Sequence, residues 1–133
     1  MERIGIVDLI LTAYPSMTPW VAQRVEGLVF AYQGLERELL ILADEITLRT
    51  ATQMPVAADD LERWLMRSQN IHQRQQRAND DLDHLAGDLN ETAADDGVGL
   101  FLQGLFEPRI DGFSAAANAF TVAVTTAAAS QRD

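Results

Sequence analysis

Apolar side chains recur along residues 21–46 at intervals that alternate strictly between four and three residues, the spacing of a coiled-coil seam. Thr18 and Pro19 stand just before this stretch and supply a helix N-cap followed by a proline at the first helical position. The seam comprises Val21, Val25, Leu28, Tyr32, Leu35, Leu39, Leu42 and Ile46. The pattern predicts a helix over residues 19–51 that buries one narrow stripe.

A second seam follows a break at Pro55, because proline disfavours helical backbone at the residue before it. Asp59 and Glu62 have the spacing of a capping box, which predicts the start of a helix near Asp59. The seam that follows comprises Leu61, Trp64, Ser68, Ile71, Gln75, Ala78, Leu82, Leu85 and Leu89. We therefore expect a second long helix over residues 59–92.

The two seams fit each other as an antiparallel hairpin folded about Pro55. In that fold each seam residue of one helix lies level with a seam residue of the other, from Val21 opposite Leu89 to Ile46 opposite Trp64. On one flank the same register places opposite charges together. The predicted pairs are Arg24 with Asp88, Glu38 with Arg74, and Glu45 with Arg67. Exposed pairs contribute only about 0–1 kcal/mol each, so their main effect is to specify the register.

The other flank of the hairpin is mostly small or apolar and is predicted to receive further helices. Its residues include Val29, Ala43 and Leu65, which are candidates for contact with an amphipathic helix of a partner. Ser68 and Gln75 lie within the seam itself and weaken it, since burying an amide without a partner costs about 1–3 kcal/mol. Two explanations stay open: these residues specify the register, or they mark the entry of a partner's polar group.

The chain changes character after Thr92. The stretch AADDGVG predicts a break, and LFLQGLFEP predicts a short helix or turn over residues 98–107 before Pro108. Residues 113–130, FSAAANAFTVAVTTAAAS, carry no charge and predict a C-terminal helix over residues 110–130. One stripe of this helix is apolar, and a second stripe is polar yet uncharged. The second stripe comprises Ser114, Asn118, Thr121 and Thr125.

An uncharged helix face is unexpected in a chain whose formal net charge is −10, because solvent-facing helices normally carry charged residues. We therefore predict that the apolar stripe packs on the hairpin and that the polar stripe contacts another subunit. Eighteen residues could just span a bilayer. The serine, asparagine and threonine residues and the lack of aromatic or basic anchors argue against membrane insertion.

Near the start of the chain, IGIVDLILTAY (residues 4–14) is apolar but is interrupted by Asp8 and followed by no small-residue cleavage site. We expect a short helix over residues 3–14 rather than a signal peptide. Whether it packs on its own bundle or on a neighbouring subunit stays open. These elements together predict one all-α domain over residues 1–133, a helical bundle built on the long hairpin.

Composition limits the classes of partner. The chain has 20 Asp and Glu residues against 10 basic residues, all of them arginine. Such an acidic surface repels nucleic acid and anionic lipid, so we expect other protein subunits, including copies of itself, as partners. There is no cysteine, which excludes disulfides and thiolate metal ligands. We expect a soluble protein, either cytoplasmic or part of an assembled particle.

Templates for catalysis and metal binding do not fit. The stretch NDDLDH begins like a calcium-binding EF-hand loop, but His84 stands where the loop requires glycine and Asn90 where it requires glutamate. A carboxylate-bridged di-metal site needs acidic residues in the bundle core, and neither seam contains Asp or Glu. A row of arginines could hold phosphate, although the hairpin register already pairs Arg67 and Arg74 with carboxylates. We therefore predict no catalytic, metal-binding or cofactor-binding residues.

These observations favour a non-enzymatic structural or adaptor subunit that self-associates within a larger assembly, for example a component of a virion or of a secretion machine. The alternative is a helical regulator or chaperone that binds an amphipathic helix on the flank containing Val29, Ala43 and Leu65. A metal-binding or ligand-binding bundle enzyme is the third reading.

Overall fold

Four α-helices make up the fold in the computed structural model, which describes residues 6–13, 19–52, 56–92 and 97–130. They are α1 (Ile6–Ala13), α2 (Pro19–Ala51), α3 (Ala58–Thr92) and α4 (Gly97–Ser130). These four ranges contain no β-strand. The all-α helical bundle predicted from the sequence is confirmed.

Helices α2 and α3 form the antiparallel hairpin in the predicted register. All three predicted ion pairs are present: Arg24–Asp88 at 3.1 Å, Glu45–Arg67 at 2.7 Å and Glu38–Arg74 at 2.6 Å. Tyr32 packs in one buried cluster with Ala78, and Ile46 packs in another with Trp64, so the large side chains lie level with the residues expected opposite them. The alternating seam therefore specified both the helices and their alignment.

The start of α3 differs from the capping box expected at Asp59. The helix begins at Ala58, and the backbone N–H groups of Asp60 and Leu61 donate to the carbonyl oxygen of Ala57. Asp59 consequently lies inside the first turn, where a carboxylate complements the positive end of the helix dipole. Asp60 is only 9% exposed, and its carboxylate accepts hydrogen bonds from Arg49 and Arg63. This network joins the end of α2 to the start of α3.

The chain after residue 97 is one continuous helix, which corrects the expectation of a short element over residues 98–107 and a separate helix over residues 110–130. Pro108 lies within α4 and is exposed. A proline inside a helix lacks the N–H that would bond to the carbonyl four residues earlier. Next to it, Nη1 of Arg109 donates to the carbonyl oxygen of Leu105 at 2.6 Å. Packing of the surrounding residues maintains the helix through this position.

A third seam explains why α4 is continuous. Its buried side chains follow alternating intervals of four and three residues on both sides of Pro108, with the half-buried Arg109 filling one position. The buried members are Leu102, Phe106, Phe113, Ala116, Phe120, Ala123 and Ala127. An apolar stripe of this length gains more from burial than one missing backbone hydrogen bond costs.

Helix α4 fills the small and apolar flank of the hairpin and runs parallel to α2, its closest neighbour. The ring of Phe106 meets Tyr32 edge to face at 5.8 Å, and further along Phe113 meets His72 at 5.6 Å. At Gly112 the approach is so close that a Cβ atom would lie 2.7 Å from Oε1 of Glu36. The flank predicted to receive further helices is thus covered by α4 of the same chain.

The short helix α1 packs on its own bundle. Val7 and Leu11 contact the buried cluster that contains Val25 and Val29 of α2. The question left open for the N-terminal segment is therefore answered for Ile6–Ala13, while the flanking residues 3–5 and 14 lie outside the described residues.

Candidate interaction surfaces

The polar stripe of α4 lies on the outside of the bundle. Ser114, Asn118, Thr121 and Thr125 are all exposed, and so is Val122, whose exposed fraction is 66%. We call these five residues the α4 outer face. From Gly112 to Ser130 the helix carries no charged side chain. The described residues therefore do not cover the stripe, and its contact with another subunit stays a prediction.

Threonine hydroxyls make this face less polar than its sequence suggests. The hydroxyl of Thr121 donates to the carbonyl oxygen of Ala117, and that of Thr126 donates to Val122, each at 2.9 Å. Hydroxyls that bond to the preceding turn of their own helix have used their donor, and they are no longer free to donate to solvent or to a partner. Thr121 and Thr126 therefore present mainly their methyl groups on the exposed side of α4.

The same helix contains the one segment in the described part of the chain that is long and apolar enough to cross a membrane. It covers Leu102–Ser130, with a mean hydropathy of 1.2. The seam side chains of α4 are buried against α2 and α3, and 28% of the apolar segment is buried inside the bundle.

The flank proposed to bind an amphipathic helix is closed. Val29 is 0% exposed and Ala43 is 3% exposed, and both pack in clusters that include α4 side chains. Leu65, the third candidate on that flank, is 47% exposed. A partner helix therefore cannot reach Val29 or Ala43 in this fold, because α4 already lies over them.

The opposite flank of the hairpin, which carries the three ion pairs, is open and forms three shallow depressions in a row. The first has a volume of 480 Å³ and lies around Gly34, the second has 390 Å³ and lies around Ile41, and the third has 540 Å³ and lies around Leu48. We call the three together the hairpin groove. The large apolar side chains exposed along it are Phe30, Ile41, Leu48 and Met66.

Arginine outnumbers carboxylate in the hairpin groove. The arginines that line it are Arg37, Arg49, Arg63, Arg67 and Arg74, and the carboxylates are Glu38, Glu45 and Asp60. Of the row considered for phosphate, Arg63, Arg67 and Arg74 are each paired with a carboxylate. This groove was not predicted from the sequence. It could have been recognised from the large apolar residues Phe30, Ile41 and Leu48, which lie on a face of α2 where polar residues would be expected.

Inside the bundle, Tyr32 is fully buried and its hydroxyl donates to Oδ1 of Asn79 at 2.5 Å. Burial, and then the negative charges of Asp83 and Asp81, raise the pKa of Tyr32 from 10.0 to about 12. The hydroxyl is therefore held in its neutral, donating form. This hydrogen bond joins α2 to α3, and the ring of the same tyrosine contacts Phe106 of α4.

The polar residues of the α3 seam are partly accounted for within the chain. Ser68 is buried, and its hydroxyl oxygen lies 3.5 Å from Nδ1 of His72. Glu36 and His72, both described residues, form no ion pair with each other; the Glu36 carboxylate lies against Gly112 instead. Gln75 is half-buried, and whether it specifies register or meets a partner stays a prediction.

Among the described residues, no group of three or more His, Cys, Asp or Glu side chains is placed to hold a metal ion. Comparison with protein-family models, with curated proteins and with solved structures gave no significant match.

Proposed function

We propose that this chain is a non-enzymatic structural or adaptor subunit that self-associates within a larger protein assembly. The observation that carries the proposal is the α4 outer face, which is exposed along residues 114–125 of α4 and bears no charge. Elsewhere the chain is strongly acidic, so an uncharged face is the surface on which two copies approach with the least electrostatic repulsion.

The size and shape of the face suit a helix-to-helix contact. Residues 112–130 extend over about 27 Å at 1.5 Å per residue. Alanine, serine and threonine dominate its exposed positions, and small side chains allow two helices to pack near the close end of the usual 8–10 Å interaxial range. Most soluble homo-oligomers are closed and symmetric, so the simplest arrangement places the α4 outer face of one copy against that of a second.

Light scattering across a dilution series, at low and high salt, tests the proposal. We expect a stable multiple of 14.7 kDa. High salt should leave the mass unchanged or favour association, because it screens the repulsion between acidic copies. The variant Val122→Glu should reduce the mass to that of a monomer, since it places a charge in the centre of the face.

Met66→Glu is the matched control, because Met66 is 62% exposed but lies on the hairpin groove, away from α4. It introduces the same charge and should leave the oligomer intact. A wild-type chain that is monomeric at all concentrations and salt conditions would contradict self-association.

A further inference from the structure

The hairpin groove exposes a large apolar side chain in each of its three depressions, on the side of the hairpin away from α4. Phe30, Ile41, Leu48 and Met66 are each more than half exposed, at 57%, 56%, 70% and 62%. Single exposed apolar residues are ordinary, but a line of them along one groove marks a site of contact. The groove and the α4 outer face share no residue, so binding in the groove does not depend on the proposed self-association.

The spacing within the groove is that of an α-helix. Gly34, Ile41 and Leu48 mark the three depressions at intervals of seven residues, or about 10 Å along the helix axis. The ion pair Glu38–Arg74 crosses the groove between the first and second depressions, and both of its residues line both depressions. The ion pair Glu45–Arg67 crosses it between the second and third depressions, where Arg67 lines both and Glu45 lines the third. A helix lying in the groove would place one large apolar side chain in each depression by repeating such residues every seven positions.

The charge of the groove indicates the chemistry of that helix. The lining has five arginines against three carboxylates, within a chain whose formal net charge is −10. Arg37 forms no ion pair or hydrogen bond with any other residue in the described part of the chain. An approaching helix flanked by Asp and Glu would therefore find a local excess of positive charge that the remainder of the surface lacks.

A second copy of this chain does not offer a matching helix. The α4 outer face has no charge, and the acidic part of α3 around Asp80, Asp81 and Asp83 carries its leucines inward, where Leu85 is buried. Helix α2 does expose Ile41 and Leu48 beside Glu38 and Glu45, but these residues line the groove itself. Pairing two copies through them would place the arginines of one groove against those of the other. We propose that the hairpin groove binds an acidic amphipathic helix of a different protein, about 18 residues long, with large apolar residues spaced seven apart.

The test uses the full chain and a labelled, helix-constrained synthetic peptide of about 20 residues. The peptide has leucine at every seventh position and glutamate at the flanking positions, and a matched peptide has lysine in place of each glutamate. Fluorescence anisotropy should show saturable binding of the glutamate peptide, at least about tenfold tighter than the lysine peptide, and weakened at high salt.

Two groove variants and one control locate the site. Ile41→Glu/Met66→Glu should weaken binding of the glutamate peptide about tenfold or more, because both side chains are exposed and lie in the groove. Arg37→Glu leaves the apolar residues in place and should weaken the glutamate peptide while strengthening the lysine peptide. Val122→Glu should change neither affinity. Circular dichroism confirms that each variant is folded.

Three results would overturn the proposal. The first is no binding of the glutamate peptide, or equal binding of both peptides. The second is binding that Ile41→Glu/Met66→Glu leaves unchanged. The third is a fall in the oligomeric mass on introducing Met66→Glu alone, which would assign the groove to a second copy. A monomeric wild-type chain that still binds the glutamate peptide in the groove would contradict self-association and leave this inference standing.

Discussion

The carboxylate of Glu36 on α2 occupies the space beside Gly112 on α4, where a Cβ atom would lie 2.7 Å from its Oε1. Glycine inside a helix normally costs about 1 kcal/mol relative to alanine. Here the absence of a side chain lets α4 pass close to α2 without displacing a half-buried carboxylate. The glycine and the glutamate together fix how closely these two helices pack.

This contact predicts different outcomes for two glycine substitutions. Gly27→Ala should raise the free energy of unfolding by about 0.5–1 kcal/mol, because nothing lies within 4 Å of the added methyl group. Gly112→Ala should gain less than that or lose stability, because Glu36 must move. Urea unfolding measures both. When Glu36→Ala is added to Gly112→Ala, the free energy of unfolding should rise as much as it does in Gly27→Ala. Equal increases in the two single glycine variants would contradict the contact between Gly112 and Glu36.

Tyr32 predicts a loss of stability at high pH. Its pKa is raised from 10.0 to about 12 in the folded chain, so the folded state holds this proton more tightly than the unfolded state. The resulting stabilisation is complete below pH 10 and is lost as the pH rises through the folded value. Tyr32→Phe removes it, together with the hydrogen bond to Asn79, and should cost about 1 kcal/mol at neutral pH.

The measurement compares urea unfolding of the wild type and Tyr32→Phe from about pH 9 to about pH 11. The other tyrosine, Tyr14, is present in both proteins and cancels. We expect the stability of the wild type to fall more steeply with pH than that of the variant. Parallel curves would show that the hydroxyl is not buried as described.

The ion pair between Glu38 and Arg74, at 2.6 Å, predicts the result of a charge exchange. Glu38→Arg places two arginines together and should destabilise the hairpin by about 0.5–1 kcal/mol, a modest change because both side chains are exposed. Glu38→Arg/Arg74→Glu should restore most of that loss. Thermal unfolding at low salt measures the cycle, and the recovery should shrink at high salt. Failure of the exchange to restore stability at low salt would contradict the register.

The hairpin was predictable because its information is local and repeated. Seam residues such as Leu39 and Ile71 recur at fixed intervals, and facing charges such as Glu45 and Arg67 independently select one alignment of the two helices. The continuity of α4 was not predicted, because Pro108 is a strong local signal for a helix end. The seam through Leu102, Phe106 and Phe113 crosses that signal, and only packing against α2 decides between them.

The candidate surfaces were likewise predictable from the sequence only in part. The uncharged composition of α4 indicated an unusual face, and its two stripes already separated Phe120, which is buried, from Thr121, which is exposed. Val29 and Ala43 were predicted to lie on a flank that receives further helices, and in the structure α4 of the same chain lies over them. The hairpin groove was missed because it requires residues of α2 and α3 to be placed side by side before Ile41 and Met66 form one surface.

Pro108 predicts a gain of stability on its removal. It is exposed, so replacing it with alanine removes no buried contact, and it restores an N–H that can bond to the carbonyl oxygen of Gly104. Pro108→Ala should therefore raise the free energy of unfolding by about 1–3 kcal/mol. Glu107→Ala, at the neighbouring exposed position, is the matched control and should change it by less than about 0.5 kcal/mol. A neutral or destabilising Pro108→Ala would contradict this prediction. It would mean that the proline provides a bend in α4, and that the seam needs this bend to keep Phe106 and Phe113 on the same face of the hairpin.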